Sequence, residues 1–232
     1  MMGPALQTFL GILLAVSTAE TPGLQNPLLE IRAHGATSYS GFAADYSSLI
    51  PGDTTAIPLE ELPRHLADPE SRTLALERIR SRAAESNGPR ATRWSQVLVM
   101  AEKGSAQAGG LAVQGLLDAE AGDPTGGARR ILEGLDGVEP EDRPGLLFLA
   151  SDLLEADEPE EAASLRRQLL ELDPEAAEAQ EARLVLARYL AGSPETEHRD
   201  EARSLLEELV VTAPSHPLAP EARRLLSTLR NP

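Results

Sequence analysis

The chain has 232 residues, of which 41% are hydrophobic, 3% aromatic and 25% charged, and its net charge is −16. That apolar content suits one sizeable array or two small domains and is too high for disorder throughout. The negative charge argues against a nucleic-acid or anionic-membrane surface, because binding phosphate needs clustered Lys and Arg.

Cysteine is absent, which removes disulfides, thiolate metal sites, cysteine nucleophiles and acylation of an N-terminal cysteine. With Trp94 the single tryptophan, the core has to be built from Leu, Ala and Val, which favours closely packed helices over a β-sandwich.

In chain order, an apolar stretch from Ala5 to Val16 precedes Ser17-Thr18-Ala19. Small residues there match a signal-peptidase site, so residues 1–19 read as an export signal, with an uncleaved anchor or a buried helix as alternatives. About twelve apolar residues fall short of the roughly 20 that span a bilayer. Residues 20–58, rich in Gly, Pro, Ser and Thr, read as an irregular linker or arm. Between 59 and 110 the expected helices are Leu59–Leu66, one opening at Asp68-Pro69-Glu70 and stopped by Asn87-Gly88-Pro89, and one from about Ala91. Gly104, Gly109 and Gly110 leave open whether one weakened helix or two follow, and Gly109-Gly110 and Gly126-Gly127 read as turns.

From Leu111 to Pro232 the pattern is regular, with 26 acidic against 12 basic residues, hence 14 of the 16 net negative charges. Helices are expected to begin at Asp123-Pro124, Glu139-Pro140, Glu158-Pro159, Asp173-Pro174, Ser193-Pro194 and Ala213-Pro214, since proline is tolerated where the first helical N–H has no acceptor. Glu161-Ala162-x-Ser164-Leu165 returns 40 residues later as Glu201-Ala202-x-Ser204-Leu205; Pro174 returns as Pro214, and Glu181-Ala182-Arg183 as Glu221-Ala222-Arg223. A weaker echo places Ala128 and Pro140 34 residues before Ala162 and Pro174. Periods of this size mark stacked repeats, each burying its apolar face against the next. One helix type carries apolar residues spaced 0, 3, 4, 7: Leu146, Leu149, Ala150, Leu153, then Ala182, Val185, Leu186, Tyr189, then Ala222, Leu225, Leu226, Leu229. The alternating type opens on a small residue, as in Ala128, Ile131, Leu135, then Ala162, Leu165, Leu169, then Ala202, Leu205, Leu209.

On these residues the half from 111 to 232 resembles the tetratricopeptide repeat family. Leu146, Leu149, Ala150, Leu153, Ala162 and Pro174 follow its bulky, apolar, small, bulky, alanine, proline order. The next unit is expanded by six residues, with a long loop expected at Ala191–Asp200, and Leu186 stands where a small residue is usual. The phrasing of the last repeat is similar in style to repeats of Gram-negative envelope proteins. The resemblance implies an all-α, helical-hairpin solenoid with a right-handed superhelix, following the irregular N-terminal arm. It also implies a non-enzymatic protein-binding scaffold, exported and periplasmic, or alternatively a structural subunit of an envelope complex that packs through its lateral face.

In that family extended peptides lie along the first helix of each pair. By analogy Leu147, Ser151, Arg183, Ala187, Arg223 and Ser227 are expected to line the groove, the two arginines being suited to a partner carboxylate. The competing reading pairs Arg183 and Arg223 with neighbouring glutamates such as Glu178 and Glu221. His34, His65, His198 and His216 stand alone, without a second metal ligand at helical or zinc-finger spacing. No phosphate-cradling glycine motif or nucleophile elbow occurs, and His34–Gly41 reads as a loop. No catalytic residue, cofactor or metal is expected, and the partner is another protein or peptide segment.

Overall fold

A computed structural model of the protein describes residues 57–230, and side chains up to Leu229. The expected export signal, nearly all of the arm, and the His34–Gly41 loop lie outside the described residues. These residues belong to one unit of the chain, Gly52–Pro232.

Among them the structure is entirely helical, without strands. After a 3₁₀ turn at Leu59–Glu61 come α1 (Leu62–Ala67), α2 (Arg72–Glu85), α3 (Pro89–Lys103), α4 (Ala106–Glu120) and α5 (Pro124–Gly134). Then follow α6 (Arg143–Leu154), α7 (Pro159–Leu172), α8 (Ala179–Ala191), α9 (Thr196–Thr212) and α10 (Ala219–Arg230). Each helix packs on the next in the chain, and α1 also packs on α4, α3 on α6, α4 on α6, and α8 on α10.

Local sequence sets most of these boundaries. The Ser105 hydroxyl accepts from the Ala108 N–H at 3.2 Å and the Asp123 carboxylate from the Gly126 N–H at 2.7 Å, capping α4 and α5. Gly88, at φ 57°, turns the chain between α2 and α3 in a conformation costly for any other residue. Pro124 and Pro159 occupy first helical positions, as expected.

Five boundaries differ from expectation. Asp68 opens a turn, its carboxylate accepting from the Glu70 N–H and the Ser71 hydroxyl, and α2 starts four residues later. Pro140 begins a 3₁₀ turn, with α6 following at Arg143. Pro174 and Pro214 sit in turns before α8 and α10. Those turns are closed by Ala176 N–H to Asp173 O at 3.2 Å and Ala179 N–H to Ala176 O at 3.0 Å, and by His216 N–H to Ala213 O at 3.0 Å and Ala219 N–H to His216 O at 2.9 Å. The same bonds 40 residues apart make the sequence echo a structural one. The loop expected at Ala191–Asp200 shrinks to Gly192–Glu195, because α9 takes up the additional residues as helix.

The glycine pairs are not turns. Gly109 and Gly110 are buried within the single helix α4, which spans the expected boundary at 110/111, and Gly127 is buried in α5. A Cβ on Gly127 would stand 2.2 Å from the Gly115 carbonyl oxygen, and one on Gly115 2.5 Å from Ile131 Cδ1. Backbone therefore meets backbone where α4 crosses α5. Because a carbonyl cannot swing aside as a side chain can, Gly127→Ala is expected to destabilise by roughly 2 kcal/mol through overpacking, read from the urea midpoint.

The repeated alanines do what small residues at helix crossings do: Ala128, Ala162 and Ala202 are fully buried, as are Ala182 and Ala222. Tyr189 departs from its row. It is 38% exposed where Leu153 and Leu229 are buried, in keeping with a phenol hydroxyl that favours a wet edge. The apolar interior forms two clusters, one running from Leu62 to Ala182 and a smaller one from Ala163 to Leu229, with the seam along α7 and α8.

Candidate functional site

The six residues expected in a groove are mostly inside the helix pairs. Leu147, Ser151, Arg183 and Ala187 are each at most 2% exposed. The Ser151 hydroxyl donates to the Phe148 carbonyl at 2.7 Å, and Arg183 Nη2 to Glu208 Oε1 on α9 at 2.6 Å. Arg183 thus reaches the helix that follows in the chain. Arg223 and Ser227, the equivalents of Arg183 and Ala187 on α10, are exposed, with Arg223 Nη2 donating to the Pro214 carbonyl at 3.0 Å. Glu178, one of the glutamates weighed as an arginine partner, pairs with neither arginine.

A different row of the first helices reaches solvent. Residues at spacing 0, 4, 7 share a face: Gly145, Leu149, Asp152 on α6; Glu181, Val185, Arg188 on α8; Glu221, Leu225, Thr228 on α10. On α6 this row is covered by α3. A Cβ on Gly145 would lie 3.1 Å from Met100 Sδ, and Arg93 on α3 donates through Nε to Asp152 Oδ2 at 2.5 Å. On α8 and α10 the row is open, with Val185 half-buried between Glu181 and Arg188 and Leu225 half-buried between Glu221 and Thr228.

The last member of each row meets the first of the next. Arg188 on α8 bonds Glu221 on α10, and Asp152 on α6 acts on Glu181 of α8. Although Glu181 is exposed as a residue, its carboxyl sits among protein atoms. That partial burial, followed by the Asp152 charge, raises its pKa, with Arg166 and Arg188 opposing. Sequence reasoning passed over this row, although the 40-residue echo of Glu181, Val185 and Arg188 in Glu221, Leu225 and Thr228 carried its trace.

Beside the row lie two depressions. One, about 330 Å³, is lined by Arg90, Arg93, Leu116, Ala119 and Glu120. Its charges are already matched. Glu120 accepts from Arg82 Nη2 at 2.7 Å, from Arg90, and from the buried Trp94 indole N–H at 2.8 Å. Burial alone would raise the Glu120 pKa, but the bonds from Arg90, Arg82 and Trp94 outweigh it and hold the carboxyl at about 2. This cluster pins α2, α3 and α4 together. The second depression, about 290 Å³, lies where the C-terminal end of α3 meets the turns that lead into α6 and α8.

Among the described residues no group of three His, Asp or Glu side chains is arranged to hold a metal, and no helix is long and apolar enough to cross a membrane. No protein family, curated protein or solved structure matches the chain.

Proposed function

We propose that the chain is a non-enzymatic helical-hairpin solenoid of tetratricopeptide type, a right-handed scaffold that holds a segment of another protein and works, exported, in the bacterial cell envelope. The observation that carries this reading is the repeated unit. The turn at Asp173–Glu178 recurs at Ala213–Leu218 with the same hydrogen bonds, and the fully buried Ala162, Leu169, Ala179 and Ala182 recur as Ala202, Leu209, Ala219 and Ala222. Units that stack in this way can leave one row of a first helix free to line an extended surface, as on α8 and α10. Here that row is Glu181, Val185 and Arg188 beside Glu221, Leu225 and Thr228, apolar in the middle and polar at its ends, three of which are charged.

Affinity capture of the full chain from its own cells, with fractionation and mass spectrometry, tests the reading. A single envelope protein recovered from the exported fraction supports it, whereas recovery from the cytosol with residues 1–19 attached removes the export step. Arg188 belongs to this row and Arg224 flanks it, pairing at 3.5 Å with Glu221 of the row; their side chains are 46% and 77% exposed. Replacing both by Ala is therefore expected to weaken capture by about 1 to 3 kcal/mol while changing fold stability by under roughly 1 kcal/mol. Capture unchanged in that double variant would move the contact off the row and favour a structural subunit that packs through its lateral face.

A further inference from the structure

The second depression differs from the first in that three of its charged side chains, Lys103, Glu141 and Glu178, have no hydrogen-bond or ion-pair partner among the described residues. Its walls are largely apolar, formed by Val99 and Met100 of α3, Pro144 of α6, and Ala176 and Ala177 of the turn before α8. Val99 is 40% exposed, an uncommon state for a large apolar residue among the described residues. Gly145 leaves the floor low: a Cβ there would meet Met100 Sδ at 3.1 Å and come within 3.6 Å of Glu178 Oε1.

Four carboxylates and one ammonium line the cleft. Two of the carboxylates are committed to the fold. Asp142 accepts from the Ser105 N–H at 2.8 Å, and Asp173 from the Glu175 N–H at 3.0 Å. The side chains of Glu141 and Glu178 make no hydrogen bond or ion pair among the described residues, and Lys103, the chain's only lysine, stands at the rim without bonding either. At about 290 Å³ the space is at the small end for a ligand pocket. It suits a side chain better than a whole cofactor.

An aliphatic stem between apolar walls with a cationic head at a carboxylate rim is how lysine and arginine bury themselves. We propose that this cleft receives the side chain of a lysine or arginine in an extended segment of a partner protein, the stem against Met100 and Pro144 and the charged head between Glu141 and Glu178. The proposal rests on the reading of the chain as a protein-binding scaffold and gives that partner a chemistry. The charge complementarity that supports it is local, and the surrounding net negative charge of the chain would speed the approach of a basic segment.

Met100 supplies the probe, because the other two methionines are Met1 and Met2. With methyl-labelled methionine in the full chain, a capped Ala-Ser-Arg-Ser-Ala peptide is expected to shift the Met100 methyl resonance saturably. The same peptide with norleucine for arginine should leave it in place. Glu141→Gln with Glu178→Gln is expected to weaken the arginine peptide about fivefold or more, while the equally charged control Glu160→Gln with Glu197→Gln, on exposed positions of α7 and α9, changes it less than about twofold.

A silent Met100, equal losses in the two double variants, or an equal response to putrescine or a divalent cation would overturn the proposal. The two readings fail separately. If a native partner is still captured by the Glu141→Gln, Glu178→Gln protein and Met100 stays silent, the cleft falls and the scaffold stands. If the methyl responds to arginine but no protein partner is captured from cells, the cleft stands as a cation-binding pocket and the partner assigned to it is wrong.

Discussion

Glu120→Gln is expected to lower stability by on the order of 3 kcal/mol at pH 7, the value of holding a carboxyl at about 2 against an ordinary 4.5. The figure is large for an ion pair because this is not an exposed one. The Glu120 side chain is 12% exposed, Arg82 lies partly buried over it, and the Trp94 indole is sealed beneath. Glutamine keeps an acceptor for the indole and removes the charge that two guanidinium groups require. The sign with pH follows from the direction of the shift. A carboxyl whose pKa is depressed on folding stabilises above its unfolded value, near 4.5, and that contribution is lost as pH falls toward 2.

Urea unfolding followed by Trp94 fluorescence should therefore show a wide gap between the native protein and the Gln variant at pH 7, narrowing to about 1 kcal/mol or less by pH about 2.5. A gap of the same size at both pH values would mean that shape, not charge, matters at this position.

The second large effect concerns Arg183. Its guanidinium is 2% exposed and has a single partner among the described residues, Glu208, whose side chain is 46% exposed; Nε and Nη1 are buried without any there. Taking Glu208 away strands a charge in the interior, so Glu208→Ala is expected to cost about 3 kcal/mol. Arg183→Met removes the charge and keeps much of the volume, and it should leave stability unchanged or raise it by about 1 kcal/mol or more. Opposite outcomes from two halves of one ion pair are the signature sought, measured as urea midpoints. Should Arg183→Met prove as damaging as Glu208→Ala, the arginine is contributing shape that methionine does not reproduce.

The Arg183 result also shows where sequence reading stops. The 40-residue echo, the alanines at crossings and the apolar rows were visible because they are periodic, and period is what a helix face writes into a chain. Whether Arg183 or Arg188 reaches solvent is decided by α9, which covers one side of α8, and no residue near either arginine encodes that. The Glu120 cluster was invisible for the same reason: its donors Arg82, Arg90 and Trp94 stand 26 to 38 residues away.

Proline misled in a local way. Pro124 and Pro159 start helices, but Asp173-Pro174 and Ala213-Pro214 start hydrogen-bonded turns that end five residues later in a helix, and both outcomes suit proline's fixed φ equally. Glycine misled in the opposite sense, because a missing Cβ serves a close crossing such as Gly115 against Gly127 as readily as a bend.

The seam in the interior bears on how the chain comes apart. Two apolar clusters that meet along α7 and α8 need not dissolve in one step, and the smaller, which secures α9 and α10, has less area to lose. Amide protons in those last helices can then exchange with solvent through an opening that leaves α1 to α6 intact. The open row on α8 and α10 would thus sit on the part of the molecule that is least expensive to rearrange, where a bound segment can slow exchange by holding the smaller cluster closed.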